Sequence, residues 1–145
     1  MHTKIELSEF HYEEFGLEHC ADLIVIVSGS WYCETRTGEY EYQTRLGNLH
    51  SPTRKGNLSS SSSSNHAMLE GVLAAIERIK LGNRSVYVLS PTPLGFKKRK
   101  GPNEELINRI FSACAQKNLD LHSIAISNGG QLIRHLLDKN SNPTM

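Results

Sequence analysis

Apolar and polar positions divide the chain into alternating strand-like and helix-like stretches. Ala21-Asp-Leu-Ile-Val-Ile-Val-Ser28 is an apolar run rich in β-branched residues and bounded by Ser28-Gly29-Ser30. A run of that length predicts a strand buried on both faces. Trp31-Tyr-Cys-Glu-Thr-Arg36 and Glu39-Tyr-Glu-Tyr-Gln-Thr-Arg-Leu46 follow, with Thr37-Gly38 between them as a hairpin turn. Tyr40, Tyr42, Thr44 and Leu46 alternate with Glu39, Glu41, Gln43 and Arg45, which predicts a strand with one face in solvent. The first three strands therefore read as an antiparallel meander.

Residues 47–64 contain Gly, Asn, Pro and a run of six serines. Such a segment buries too little apolar area to offset its ordering entropy, so a flexible loop inside the domain is expected there. From Asn65 to Lys80 the period becomes helical. Leu69, Val72, Leu73, Ile76 and Ile79 form one stripe, Ser64 or Asn65 can cap it, and Leu81-Gly82-Asn83 ends it. Val86-Tyr-Val-Leu89 is a second short buried strand, stopped by Ser90-Pro91-Thr92-Pro93. Asn103 is expected to cap the next helix, with Glu104 and Glu105 favoured in its first turn by the helix dipole. That helix has its stripe at Leu106, Ile107, Ile110, Phe111 and Cys114. His122–Ile126 reads as the last strand and Gln131–Leu137 as a closing helix.

The order is βββαβαβα, an α/β architecture with a five-stranded mixed sheet flanked by helices. The strands at Leu23–Val27 and Val86–Leu89 should be parallel neighbours joined by a right-handed helical crossover. Residues 21–139 form the single domain, 1–20 are an N-terminal lead of uncertain structure, and 140–145 are a disordered tail.

Composition narrows the function classes. The 145 residues are 38% hydrophobic, and 16 Lys+Arg against 15 Asp+Glu give a net charge of +1. Overall charge thus argues neither for nor against nucleic acid, and only local clustering speaks. The longest apolar run is strand-sized, far below the roughly 20 residues of a membrane helix, and the N-terminus resembles no targeting peptide. Three cysteines without C-x-x-C spacing exclude a disulfide framework and fit the cytoplasm or another reducing intracellular compartment. His11, His19, Cys20 and Cys33 match no zinc spacing and read as scattered residues.

The same order of elements belongs to the ribonuclease H fold, and short motifs support a resemblance to that family over residues 21–138. The family's first strand ends Asp-Gly-Ser; here it ends Ser28-Gly29-Ser30. Its first helix often reads Asn-x-Ala-Glu-Tyr-x-Ala-Leu; this chain has Asn65-His-Ala67-Met68-Leu69-Glu-Gly-Val72. Ser90-Pro91-Thr92 stands where the family has Ser/Thr-Asp-Ser, and Lys100-Gly-Pro-Asn-Glu-Glu-Leu106 is similar to a later Lys-Asn-Pro-x-Leu motif. The resemblance implies a nucleic-acid substrate and a carboxylate cluster holding two Mg²⁺ ions. Carried over by position, however, the ligand carboxylates fall on Ser28, Met68 and Pro91, and the last falls near His135. A thioether and a prolyl ring cannot hold a hard cation. The expectation is a divergent member without catalytic residues or cofactor.

Lys97-Lys98-Arg99-Lys100 lies where some ribonuclease H proteins carry a basic handle, and four adjacent cations attract phosphates. The bland alternative is a solvated loop at a helix entrance. Arg54 and Lys55 are weaker candidates for phosphate contacts. Trp31 can stack on a base, or serve as packing at the hairpin.

Three functions remain open at this point. The first is a non-catalytic domain that binds RNA, DNA or a hybrid, or docks with a nucleic-acid-processing protein. The second is a divergent Mg²⁺-dependent nuclease that cleaves RNA–DNA hybrids using other carboxylates (Asp22, Glu34, Glu70 or Asp138). The third is a protein-interaction scaffold. No membrane partner is expected.

Overall fold

The structure is a computed structural model that describes residues 4–8, 23–46, 49–96, 101–127 and 130–138. Its elements are β1 (Lys4–Ser8), β2 (Leu23–Tyr32), β3 (Thr37–Leu46), β4 (Leu49–His50), β5 (Arg54–Leu58), α1 (Ser64–Arg78), β6 (Arg84–Ser90), α2 (Glu104–Gln116), β7 (Leu119–Ser127) and α3 (Gly130–Asp138). The strands form one mixed sheet in the order β1-β7-β6-β2-β3-β4, with β5 also on β3. Among the described residues no helix is long and apolar enough to cross a membrane.

The apolar run becomes the centre of the sheet, as expected. Leu23, Val25 and Val27 enter one core with α1 and α2. Ile24 and Ile26 enter a second core with Ile133, Leu136 and Leu137 of α3. A strand buried on both faces needs apolar residues at every position, which is what this run supplies. Leu23↔Val86 through Ile26↔Leu89 pair in parallel. Between these strands α1 buries Leu69, Val72 and Ile76 completely.

The helix termini differ from expectation in detail. The cap of α1 is Ser63, whose side chain accepts from the His66 backbone N–H at 3.0 Å. At the other end, Lys117 Nζ donates to the carbonyls of Ile76 and Glu77 at 2.7 and 3.0 Å. Asn103 stands at the N-cap of α2 but makes no side-chain cap bond, and its Oδ1 is buried without a partner.

Three parts of the sheet correct the sequence reading. Trp31 and Tyr32 continue β2 instead of opening a new strand, pairing with Gly38 and Thr37. The hairpin turn is Cys33–Arg36, with Arg36 in the left-handed region at φ 56°. Second, residues 47–64 are not wholly a flexible loop, since β4 and β5 come from this segment and complete the meander on β3. The open edge of β3 supplies backbone partners, so β5 needs little apolar content of its own. Its Gly56 leaves room for the Tyr40 ring, because a Cβ there would lie 2.1 Å from Tyr40 Cζ. Third, residues 4–8 of the N-terminal lead form β1, parallel to β7. Among the described residues the sheet therefore has seven strands instead of five. The tail 140–145 lies outside the described residues.

Burial also corrects β3. Its Glu/Gln/Arg face was expected in solvent, yet Gln43 and Arg45 are 0% and 5% exposed. α3 covers them, and Arg45 donates to Gln43 Oε1 at 2.7 Å and to the Leu136 carbonyl at 3.2 Å. A helix leaves its last carbonyls without partners inside itself, and here the strand beneath supplies the donor.

Candidate nucleic-acid interface

β2 and β6 stay paired up to Ile26 and Leu89 and then separate. Ser28 and Pro91 each lie two residues beyond that last pair, both half-buried. The first turns of α1 bring Met68 against the same end of the sheet. A Cβ on Gly29 would lie 2.7 Å from Met68 Cγ, so the glycine admits the buried thioether. Three of the positions named from the sequence thus gather at one end of the sheet. His135 does not join them: it is exposed on α3, and the neighbouring Arg134 is the α3 residue that pairs with Glu41, the cross-strand partner of Ser28.

A hollow of about 650 Å³ opens beside the N-terminus of α1, lined by Trp31, Cys33, Arg36, His66, Pro102 and the serines 60–62. Trp31 is 40% exposed, so it is not a core residue. Its Nε1 donates to the Ser61 carbonyl at 2.9 Å, which holds the ring at the surface. Ser61 Oγ is in turn 3.0 Å from His66 Nδ1. The serine run thereby acquires a structural task, tying the end of the β2–β3 hairpin to α1.

Lys97, Lys98, Arg99 and Lys100 lie outside the described residues, but the residues on either side of them are placed. Phe96 is buried against Phe111, with ring centroids 5.9 Å apart. Pro102 lines the hollow with Trp31. Asn65 Nδ2 donates to the Leu94 carbonyl at 3.2 Å, joining the segment after β6 to the start of α1.

Arg54 and Lys55 do not act together, because successive strand residues face opposite ways. Arg54 pairs across from Tyr42 on the α1 side, whereas Lys55 sits opposite Glu41 and reaches its carboxylate at 3.6 Å.

No protein-family model and no curated protein matches the chain. Among solved structures it is similar to the N-terminal RNase H domain of a Mycobacterium tuberculosis protein, determined as a fusion with maltose-binding protein. The two share 15% sequence identity at a TM-score of 0.58, over 73% of this chain and 84% of that one. The fold is ribonuclease H-like.

In that fold the implied metal pair is tested by the donors present. Ser28, Met68 and Pro91 offer one hydroxyl and no carboxylate, and hard divalent cations take oxygen ligands, chiefly carboxylates. Nearby acids have other partners. Glu41 pairs with Arg134 and Lys55. Glu70 lies 3.6 Å from His66 Nε2, and Asp138 lies 3.0 Å from Arg134. Glu34 is exposed in the hairpin turn, and Asp22 lies outside the described residues. Among the described residues no three His, Cys, Asp or Glu side chains come together. Among the described residues, the side chains of Ser28, Met68 and Pro91 do not supply the carboxylates such a pair takes.

Of the scattered metal-type residues, His11, His19 and Cys20 lie outside the described residues, and Cys33 is an exposed free thiol. Cys114 is core, and burial pushes its thiol up to about 11, so this side chain stays protonated near neutral pH.

Sequence reasoning missed the grouping of Arg36, His66 and the serines around Trp31. The available signal was the Trp31-Tyr32 pair, two aromatic residues that continue β2 past its apolar run.

Proposed function

We propose that this domain binds nucleic acid without cleaving it, with the basic run 97–100 on the phosphates and Trp31 stacking on a base. One observation carries the reading: an exposed Trp31 shares a hollow with Arg36 and with Pro102, two residues from four consecutive cations. Aromatic faces beside cations suit single strands and strand ends, because every base has a π-face and every nucleotide a phosphate. Non-cleavage is supported by the donor set of Ser28, Met68 and Pro91 and by the ion pairs that occupy Glu41 and Asp138.

The test is binding of a labelled single strand, a duplex and an RNA–DNA hybrid across a salt series. Replacing Lys97, Lys98, Arg99 and Lys100 by Ala should weaken binding to all sequences. The slope of log affinity against log salt should fall by about 0.7 per lost contact on single strands and about 0.9 on duplex. Stability should barely change. Trp31→Ala should weaken single-strand binding by about 1–3 kcal/mol and leave the salt slope intact. An unaltered slope in the quadruple variant would leave the run 97–100 as solvated residues outside the interface, and no binding by the native chain at low salt would return the domain to a protein-interaction scaffold. Incubation with Mg²⁺ or Mn²⁺ should yield no hybrid cleavage above background. Cleavage abolished by Glu70→Gln or Asp138→Asn would restore the nuclease reading.

A further inference from the structure

The other end of β2 carries a second cleft with different chemistry. It has a volume of about 430 Å³ and lies between the C-terminus of α1 and the β3–β4 corner. Its floor and walls are Leu23, Tyr42, Leu46, Leu49, Ile79 and Leu81. Leu49 and Leu81 are 42% and 43% exposed, so apolar surface is left open at the mouth. Arg54, Arg78 and Lys80 line the same cleft. Among the described residues no carboxylate pairs with any of the three, whereas elsewhere Lys55 pairs with Glu41 and Arg134 with Glu41 and Asp138. Both guanidinium groups lie close enough to Tyr42 to oppose the upward push that burial gives its phenol. Two of the α1 carbonyls that would repel an anion, those of Ile76 and Glu77, accept from Lys117 Nζ.

We propose that this cleft binds a small amphipathic anion, an apolar chain or ring bearing one carboxylate or phosphate. The apolar body lies on the leucines and Ile79. The head is held by Arg54 and Arg78, with Lys80 at the rim. The volume falls in the range of small-molecule sites, and apolar walls with a few convergent polar groups are their usual makeup. A nucleic-acid strand fits less well, because Tyr42 is 4% exposed and offers no face for stacking. The proposal is independent of the nucleic-acid reading, since the cleft sits at the opposite end of β2 from Ser28.

Calorimetric titration with decanoate, decyl phosphate and decanol, each below its micellar concentration, tests it. One-site saturable binding is expected for an anion, with decanol at least about tenfold weaker. The tighter of the two anions identifies the head. Arg54→Gln/Arg78→Gln should weaken anion binding by about tenfold or more and leave decanol unchanged, with the thermal melt confirming the fold. Leu81→Glu, at an exposed position, should also repel the anion without touching the core. Three results would overturn the site: no heat with either anion at millimolar concentration, decanol binding as tightly as decanoate, or undiminished binding by the double variant. Displacement of bound decanoate by an oligonucleotide would also overturn it, by assigning the cleft to the nucleic-acid interface.

Discussion

On one side of β3, Tyr40, Tyr42 and Leu46 pack into the core built by α1 and α2; on the other, Glu41, Gln43 and Arg45 lie on the α3 side. The first side is held by apolar area. The second is held by directed contacts: Arg45 and Thr53 donate to the Leu136 and Leu137 carbonyls of α3, and Arg134 returns to Glu41. α3 is only nine residues long, and three apolar side chains, Ile133, Leu136 and Leu137, are buried beneath it. A helix that short gains much from having its terminal carbonyls satisfied by the sheet it covers. Polar alternation on a strand therefore marks solvent only when no helix end needs donors there.

The largest test of this contrast lies on the apolar side. Ile76→Ala deletes a fully buried side chain and should cost about 2–5 kcal/mol in urea unfolding. On the polar side, Arg45→Met keeps most of the stem but leaves the Leu136 carbonyl and Gln43 Oε1 without their donor. It should cost about 1–3 kcal/mol. A loss equal to that of Ile76→Ala would make the polar side the stronger clamp. A loss near zero would show that α3 is held by its apolar residues alone.

Glu41→Gln breaks pairs with Lys55 and Arg134, whose side chains are 75% and 47% exposed, so its cost should stay below about 1 kcal/mol and shrink further in high salt.

The smallest effect is read through pH. His50 faces Arg45 across the β3–β4 rung, and burial, with Arg45 adding to it, holds its pKa below the usual value. The unfolded chain takes up that proton near about pH 6.5, the folded chain only at lower pH. The contribution is therefore complete above about 6.5 and is lost as pH falls between the two values. Comparing unfolding midpoints at pH 7.5 and 5.5 for the native chain and His50→Gln isolates it. Equal pH dependence in both would remove His50 from the buried polar side.

The positions legible without coordinates are those whose signal is local. Leu23–Val27, the α1 stripe and Val86–Leu89 each show their period within a few residues, so the central strands, the crossover helix and their parallel pairing follow from the chain alone. That the side chains of Met68 and Pro91 offer no oxygen to a hard cation is equally legible, because it depends on residue chemistry. Contacts between distant segments decided the rest. β5 and β1 exist as strands because β3 and β7 present edges to them, and a row of backbone N–H and C=O groups has no side-chain signature. Arg45 is buried because α3, about ninety residues away in sequence, brings it a carbonyl. Trp31 and Pro102 share a hollow, and Arg54 and Lys55 part to opposite faces, only once the strands are registered and the helices laid across them. Periodicity records which side of an element is apolar; which polar groups meet beneath a helix is settled by three-dimensional proximity.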